Sequence, residues 1–229
     1  MKIVVFSGAG MSAESGISTF RDNDGLWEKY NVYDVATPEA WYRNQDLVLE
    51  FYNQRRKQLL EMEPNEAHRL LARLKSEHQI EIVTQNIDDL HERAGSENVL
   101  HLHGELRKSQ STLNPKLVYP IESWELKKGD FCEKGSQLRP HVVWFGEAVP
   151  MMDQAEALVA DCDLLIVIGT SLNVYPAAGL LYSVKSTAAI YVIDPSPMDI
   201  SPYKNCVHIQ KTASEGLKKL IHDLEFRTL

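Results

Sequence analysis

Short runs of branched aliphatic residues recur along the chain, and this feature constrains the fold most. Most runs are continuous rather than alternating in polarity, as in strands that are buried on both faces of a parallel sheet. Amphipathic stretches separate them, such as 65–77, which has Asn65 as its helix cap. We therefore predict an α/β fold with an open, doubly wound parallel sheet. The predicted strands are 3–6, 80–84, 99–102, 164–168, 189–193 and 207–209, and the other predicted helices are 46–62, one after Pro176, and 213–224.

Two polar segments interrupt this alternation. Residues 21–64 combine a polar loop with one long helix, and residues 105–138 are polar and irregular. Segments of that length need a small fold of their own or a functional role. Both follow carboxyl ends of strands, the edge where such sheets bind ligands. We expect a single domain, 1–229, with a large lobe from 1–20, 65–104 and 139–229 and a small lobe from the two insertions.

Composition narrows the classes of partner. The net charge is −8 over 229 residues, whereas binding to nucleic-acid phosphates needs clustered Lys and Arg. Three widely spaced cysteines do not suggest a disulfide framework. No signal peptide fits the N-terminus, and no apolar stretch approaches the roughly 18 residues that span a bilayer. We expect a cytoplasmic monomer that binds neither nucleic acid nor membranes.

A glycine-rich segment follows the first predicted strand. Gly8, Ala9, Gly10 and Ser12 belong to a G-x-G-x-x-A pattern, in which a tight turn lets backbone amides face a pyrophosphate. A structural glycine turn would look the same. A dehydrogenase of this fold would also carry a second strand and an acidic residue about 20 residues further on. Here the next strand begins only near Ile80, which argues against hydride transfer.

Further distinctive motifs cover almost the whole chain. They are ESGISTFR at 14–21, GLW at 25–27, PNEAH at 64–68, TQNID at 84–88, HLHG at 101–104, HVVWFGE at 141–147, GTS at 169–171 and VYPA at 174–177. In this order they resemble the motifs of the sirtuins, and only residues 105–138 fall outside the match. The resemblance implies an NAD-consuming protein-lysine deacylase with a Rossmann-like, deoxyhypusine synthase-like NAD-binding fold.

The implied reaction uses NAD as a co-substrate. The acyl oxygen of a modified lysine displaces nicotinamide from the ribose, and the ribose 2′-hydroxyl then attacks, giving free lysine and O-acyl-ADP-ribose. That hydroxyl needs a base with a pKa near neutrality, which suits histidine. His103 precedes Gly104 at a predicted strand end and matches the family's catalytic histidine. We expect Asn86 and Asp88 to complete the catalytic set.

The resemblance also assigns the NAD-binding residues. Asp88 would lie near the nicotinamide carboxamide, and Phe20 and Arg21 in a loop over the dinucleotide. Asp194 stands where the family usually has asparagine, and a carboxylate can likewise accept hydrogen bonds from ribose hydroxyls. The full expected set is Gly8, Ala9, Gly10, Ser12, Glu14, Thr19, Phe20, Arg21, Trp27, Gln85, Asn86, Ile87, Asp88, His103, Gly169, Thr170, Ser171, Asp194 and Ala213.

Two further groups would contact the acylated lysine of a protein substrate. Main-chain pairing with the substrate peptide is implied for Val143, Phe145, Gly146 and Glu147. Tyr52 and Arg55 are three apart on a predicted helix and share a face. A solvated helix surface would have the same spacing. In the sirtuin subgroup that prefers acidic acyl groups, such as succinyl and malonyl, this pair holds the distal carboxylate.

The second insertion departs from the family. Most sirtuins hold a structural zinc there with four cysteines, but residues 105–138 contain only Cys132, with Ser109, Ser111 and Asn114 near the expected first pair. We expect no metal. We expect the insertion to be stabilised by apolar packing of Leu113, Leu117, Val118, Tyr119, Ile121, Trp124 and Leu126.

Two other functions share these residues. An ADP-ribosyltransferase or NAD hydrolase of this fold would use almost the same cofactor set, and formation of O-acyl-ADP-ribose separates it from a deacylase. A nucleotide sensor without turnover is disfavoured by His103, Asn86 and Asp88, because a binding protein needs no base.

Overall fold

The computed structural model describes residues 1–17 and 30–227, with side chains through residue 224. Its strands are β1 (Lys2–Ser7), β2 (Gln79–Thr84), β3 (Val99–His101), β4 (Gly104–Ser111), β5 (Val118–Pro120), β6 (Leu138–Val142), β7 (Leu164–Ile168), β8 (Ala189–Ile193) and β9 (Cys206–Ile209). Its helices are α1 (Gly10–Ala13), α2 (Val32–Val35), α3 (Pro38–Arg43), α4 (Gln45–Glu61), α5 (Glu66–Leu74), α6 (Leu90–Arg93), α7 (Met152–Ala160) and α8 (Ala213–Arg227), and Ala177–Ser183 forms a 3₁₀ segment. Within the described residues, no helix has the length and apolar character needed to cross a bilayer.

The main sheet has six strands in the order β3-β2-β1-β7-β8-β9, and every neighbouring pair is parallel. The chain builds outward from β1 through β2 to β3 and later resumes at β7, on the other side of β1. The predicted doubly wound sheet is therefore confirmed. Its topological switch point lies between the carboxyl ends of β1 and β7, where sheets of this type bind ligands.

Both faces of the main sheet are covered, which explains the continuous aliphatic runs. In β1, Ile3 and Val5 pack in one apolar cluster with residues of α5 and α8. Val4 and Phe6 point to the opposite face and pack with α7 and the 3₁₀ segment. All four side chains are fully buried, so neither face of the strand can be polar.

The second sheet is small and antiparallel, with the order β5-β4-β6. It shares an apolar cluster with the long helix α4, in which Phe51 and Tyr52 pack with Leu106 of β4 and Val142 of β6. Both predicted insertions thus contribute to one separate core. The exact lobe boundaries stay a prediction.

Several element bounds differ from the sequence prediction. The helix predicted at 65–77 ends at Leu74, because the next amides bond three residues back and tighten the chain into a turn. The segment after Pro176 is a 3₁₀ helix rather than an α-helix. The strand predicted at 99–102 ends at His101, so His103 lies in the turn that leads into β4.

The expected apolar packing of the second insertion is wrong for most of its residues. Leu113 is 80% exposed, Val118 and Trp124 are each 37% exposed, and Leu117 and Tyr119 are half-buried. Of the seven, Ile121 and Leu126 are buried. The reason is that β5 is a three-residue edge strand, so much of its surface faces solvent.

Polar contacts hold the tip of this insertion. The Ser111 and Ser136 hydroxyls lie 2.7 Å apart, and the buried Cys132 sulfur lies 3.6 Å from Ser111 Oγ and 3.2 Å from Ser136 Oγ. Hydrogen bonding with Ser136 and Ser111 lowers the pKa of the Cys132 thiol to about 6. A small hydrogen-bonded cluster, rather than the expected apolar packing, therefore holds the tip of the insertion.

Candidate active site

The loops that leave β1 and β7 cross in close contact. Gly8 N donates to Ile168 O at 3.0 Å, and Gly10 N donates to Gly169 O at 2.8 Å. A Cβ on Gly10 would lie 2.8 Å from Gly169 Cα, and one on Gly8 would lie 2.7 Å from Thr170 Cβ. Gly169 itself has φ +65°. The predicted phosphate-side residues therefore meet at the switch point, where only glycine fits.

The loop after β2 is hydrogen-bonded to the β1 side of this crossing. Asn86 Nδ2 donates to Gly8 O and to Ser12 Oγ, both at 3.1 Å. The Ser12 hydroxyl in turn donates to Asp88 Oδ2 at 3.0 Å. Burial raises the pKa of Asp88, although hydrogen bonds from Leu90 N and Ser12 oppose the shift. Asn86, Asp88 and Ser12, predicted from separate motifs, thus form one buried polar network.

His103 contacts the loop after β2 from the turn between β3 and β4. Its Nδ1 lies 3.0 Å from the Gln85 carbonyl oxygen, which can only accept, so Nδ1 carries the proton and Nε2 has the lone pair in the neutral ring. Burial lowers the pKa of His103, and the bond to Gln85 offsets part of that shift. The ring is therefore neutral at pH 7, with Nε2 able to take a proton.

Gln85 adds a donor at the same place. Its Nε2 is buried, and it has no hydrogen-bond partner within the described residues. A buried amide without a partner is costly, so this donor fits a ligand oxygen. Ile87, two residues on, packs at the edge of the small-lobe core.

A cavity of about 340 Å³ borders the loops that leave β7 and β8. Ser171 and Asp194, which follow β7 and β8, both line it. Their contact with an adenosine stays a prediction. Asp194 is 7% exposed and accepts a hydrogen bond from Ser196 N at 2.9 Å. The remaining lining residues are Leu172, Asn173, Ser196, Pro197, Met198, Asp199 and Tyr203.

The Glu14 side chain contacts the start of α8. Ser214 N donates to Glu14 Oε1 at 3.0 Å, and Ala213 is buried beside it. Partial burial alone would raise the pKa of Glu14, but hydrogen bonds from Ser214 and Thr212 and the charge of Lys218 lower it. The Glu14 carboxylate therefore caps α8, and its contact with a dinucleotide stays a prediction.

The segment after β6 joins His103 to the small lobe. Val143 N donates to His103 O at 2.9 Å, and Phe145 N donates to Ala36 O at 3.0 Å. Phe145 is 47% exposed, and Gly146 has φ +91°. The Glu147 carboxylate closes this turn, because it accepts from Trp144 N at 2.7 Å and pairs with Arg139 at 2.7 and 2.9 Å. Of the expected peptide-binding residues, Glu147 thus has a side chain already engaged within the protein.

Comparison with known proteins decides the family. The family model described as "Sir2 family" matches residues 8–176. The chain belongs to the Sir2 family. An NAD-dependent protein deacylase of Bacteroides thetaiotaomicron is 53% identical over 223 residues, covering 95% of both chains. One from Helicobacter pylori is 51% identical over 222 residues, covering 97% of this chain and 96% of its own. The solved structure of a Sir2 homologue in complex with NAD has a TM-score of 0.88 and 39% identity, covering 98% of this chain and 90% of its own.

Within this Sir2 fold, the pair on α4 is not a solvated surface. Tyr52 is 1% exposed, and Trp144 Nε1 donates to its hydroxyl oxygen at 3.1 Å. Burial raises the pKa of Tyr52 to about 12, although the charge of Arg55 opposes the shift. Arg55 is half-buried; burial lowers its pKa, and both Tyr52 and Asp88 oppose this. The pair therefore lies within electrostatic reach of the buried network at Asp88.

No functional role was predicted for two histidines that are buried in the structure, His68 and His91. His91 Nε2 lies 3.0 Å from Ser7 Oγ, whose proton goes to Thr84. The rings of His91 and His68 are 4.8 Å apart. Burial lowers the pKa of His68 to about 4 and that of His91 well below its usual value. Helical spacing alone shows neither the burial nor the pairing.

Four expected cofactor residues lie outside the described residues. They are Thr19, Phe20, Arg21 and Trp27.

Proposed function

We propose that His103 is the general base of this NAD-dependent protein deacylase. The bond from His103 Nδ1 to the Gln85 carbonyl carries the proposal, because it leaves Nε2 as the proton acceptor. A base in this position would take the proton of the ribose 2′-hydroxyl, so that the oxygen can attack the acyl group of the bound lysine.

The described residues fit NAD as the co-substrate. The glycine crossing would let backbone amides approach a pyrophosphate. Gln85 Nε2 offers a buried donor on the nicotinamide side, and the cavity with Ser171 and Asp194 suits an adenosine. Bound there, NAD would supply the ribose that receives the acyl group.

Replacing the base tests this assignment. His103→Ala should lower deacylation by roughly 10²–10⁴, while NAD still binds and nicotinamide exchange persists. Release of O-acyl-ADP-ribose from an acetylated peptide, followed by mass spectrometry, is the readout, and it also excludes an ADP-ribosyltransferase or a hydrolase. His222→Ala, an exposed histidine of α8, is the matched control. Deacylation by His103→Ala at the control rate would remove His103 from the mechanism.

We further propose that Tyr52 and Arg55 favour acidic acyl chains. Arg55 offers a planar set of donors that matches a carboxylate, and the Tyr52 hydroxyl is a second donor beside it. Their partly or fully buried environment supports the proposal. Charge-assisted pairing there should contribute about 1.5–3 kcal/mol, which acetyl-lysine cannot use.

The acyl preference is tested with acetyl, malonyl and succinyl versions of one peptide. Arg55→Met should lose most succinyl activity and spare acetyl activity, because only the former uses the charge. Lys57→Met is the matched control, since it removes an exposed cation from the same helix. Equal kcat/KM on all three peptides, unchanged in Arg55→Met, would contradict the proposal.

A further inference from the structure

Two neighbouring carbonyls in the loop after β2 are each held by a histidine ring. His103 Nδ1 lies 3.0 Å from Gln85 O, and His101 Nδ1 lies 2.9 Å from Asn86 O. Carbonyl oxygens can only accept, so both rings donate from Nδ1. The two histidines stand two residues apart at the end of β3, with their side chains toward the same loop. The loop that carries Asn86 and Asp88 is therefore fixed by two parallel contacts.

The second nitrogen distinguishes the two rings. His101 Nε2 lies 2.7 Å from Glu92 Oε1, and the His101 side chain is 7% exposed. An ionised carboxylate also only accepts, so both nitrogens of His101 donate and the ring is an imidazolium. His103, in contrast, is positioned as a neutral base. One loop is thus held by a charged and an uncharged histidine side by side.

The surroundings of His101 favour its charge. Burial opposes it, but the hydrogen bond and charge of Glu92, the Asn86 carbonyl and the charge of Glu105 outweigh burial and raise the pKa of His101. Glu92 belongs to α6 and Glu105 to β4. The other titratable groups that interact with this ring are Asp88 in the loop, His91 of α6 and His141 of β6.

We propose that His101 is a positioning residue, whose imidazolium links Glu92 to the Asn86 carbonyl and holds Asn86 and Asp88 in place for NAD. The proposal rests on the assignment of these two residues to the nicotinamide side. A neutral ring has one N–H and can keep only one of the two contacts. Loss of the proton therefore loosens the loop without removing a group that touches substrate.

This arrangement gives the two histidines opposite effects on the pH profile. The pKa of His103 is lowered, so the base becomes active as pH rises through a value below 6.5, the ordinary pKa of histidine. The pKa of His101 is raised, so its contribution is complete below that ordinary value and is lost as pH rises through the higher pKa of the folded state. We expect a bell-shaped profile whose alkaline limb reports His101.

Glu92→Gln tests the link. Glutamine can still accept the hydrogen bond but removes the charge, so the alkaline limb of kcat/KM for NAD should move about one pH unit or more downward. NMR titration of the histidine Cε1 signals should show the same shift for His101 and none for His103. Glu97→Gln removes another carboxylate, paired with Lys75 and 75% exposed, and should leave the profile unchanged. An alkaline limb that stays in place in Glu92→Gln would overturn the proposal.

His101→Gln gives an independent readout through NAD binding. We expect the KM and the Kd for NAD to rise about tenfold or more, because the loop that carries Asn86 is displaced, while the acid limb set by His103 remains. Affinity is measured by direct NAD titration, which needs no turnover. If the wild-type protein bound NAD but did not deacylate, the proposal that His103 is the base would fail. The positioning role of His101 could still be tested by NAD titration. Unchanged NAD affinity in His101→Gln would overturn the positioning role.

Discussion

Single residues set the shape of the proposed NAD site through their size. Gly10 and Gly169 approach so closely that either Cβ would collide with main-chain atoms. Gly10 was predicted from a phosphate-binding pattern and Gly169 from the family resemblance, yet each of them packs against the other's loop. The pattern could not show this, because the partner loop is far away in the chain. The Tyr52 hydroxyl likewise bonds to a residue far away in the chain, Trp144, and the partners of Arg56 are also distant.

Arg56 illustrates the limit of spacing arguments. Arg55 and Arg56 are adjacent, and Arg56 is the fully buried one, donating to Leu106 O and Trp124 O, each at 2.7 Å. It ties α4 to the second insertion. The carbonyls that make burial of Arg56 possible belong to segments without a recognisable pattern.

Gly10→Ala should damage both stability and NAD binding. The new methyl group would lie 2.8 Å from Gly169 Cα, so the backbone must shift, at a cost of roughly 1–3 kcal/mol. Thermal unfolding and NAD titration measure the two effects. Gly179→Ala is the control, because nothing lies within 4 Å of its Cβ position. Gly10→Ala behaving like Gly179→Ala would show that the two loops can separate freely.

At the scale of elements, the main sheet could be predicted because strands that are buried on both faces appear in the sequence as continuous aliphatic runs. The small sheet could not, since β4 and β6 are partly polar and β5 is an antiparallel edge strand of three residues. His103 was found by its motif. The neighbouring His101 was not given a role, because its meaning depends on Glu92, which comes from α6.

The packing of α5 against α6 should make folding sensitive to acid. His68 and His91 are buried and neutral, and the pKa of His68 in the folded protein is about 4. The unfolded chain therefore takes up the proton first, and stability falls as pH drops from about 6.5 toward 4, by about 1.4 kcal/mol per pH unit for each such group. Urea unfolding at pH 7 and pH 5 measures this loss.

Removing one of the two histidines should flatten that dependence. His68→Asn abolishes one proton uptake, so the difference in unfolding free energy between pH 7 and pH 5 should shrink. His222→Gln, on the exposed end of α8, should keep the wild-type difference. A variant at His68 with the full wild-type pH dependence would show that the pair does not govern acid sensitivity.

For the whole molecule, the small lobe is expected to fold without metal. Its tip is held by Ser111, Cys132 and Ser136, and one thiolate with two hydroxyls is a poor set of ligands for structural zinc. Metal analysis of the purified, tag-free protein should find less than stoichiometric zinc, and chelator treatment should change neither the melting temperature nor the activity. Equimolar zinc that is lost in Cys132→Ser would contradict this expectation.

The crossing of the β1 and β7 loops also bears on how the protein is made. Gly169, the other half of the crossing, is synthesised much later than residues 8–10. Contacts between such distant segments form late, since the intervening chain must be ordered first. A nascent chain therefore carries the glycine-rich segment long before β7 emerges and completes the crossing. NAD can act as a ligand that stabilises the finished protein, but it cannot guide the early stages of folding.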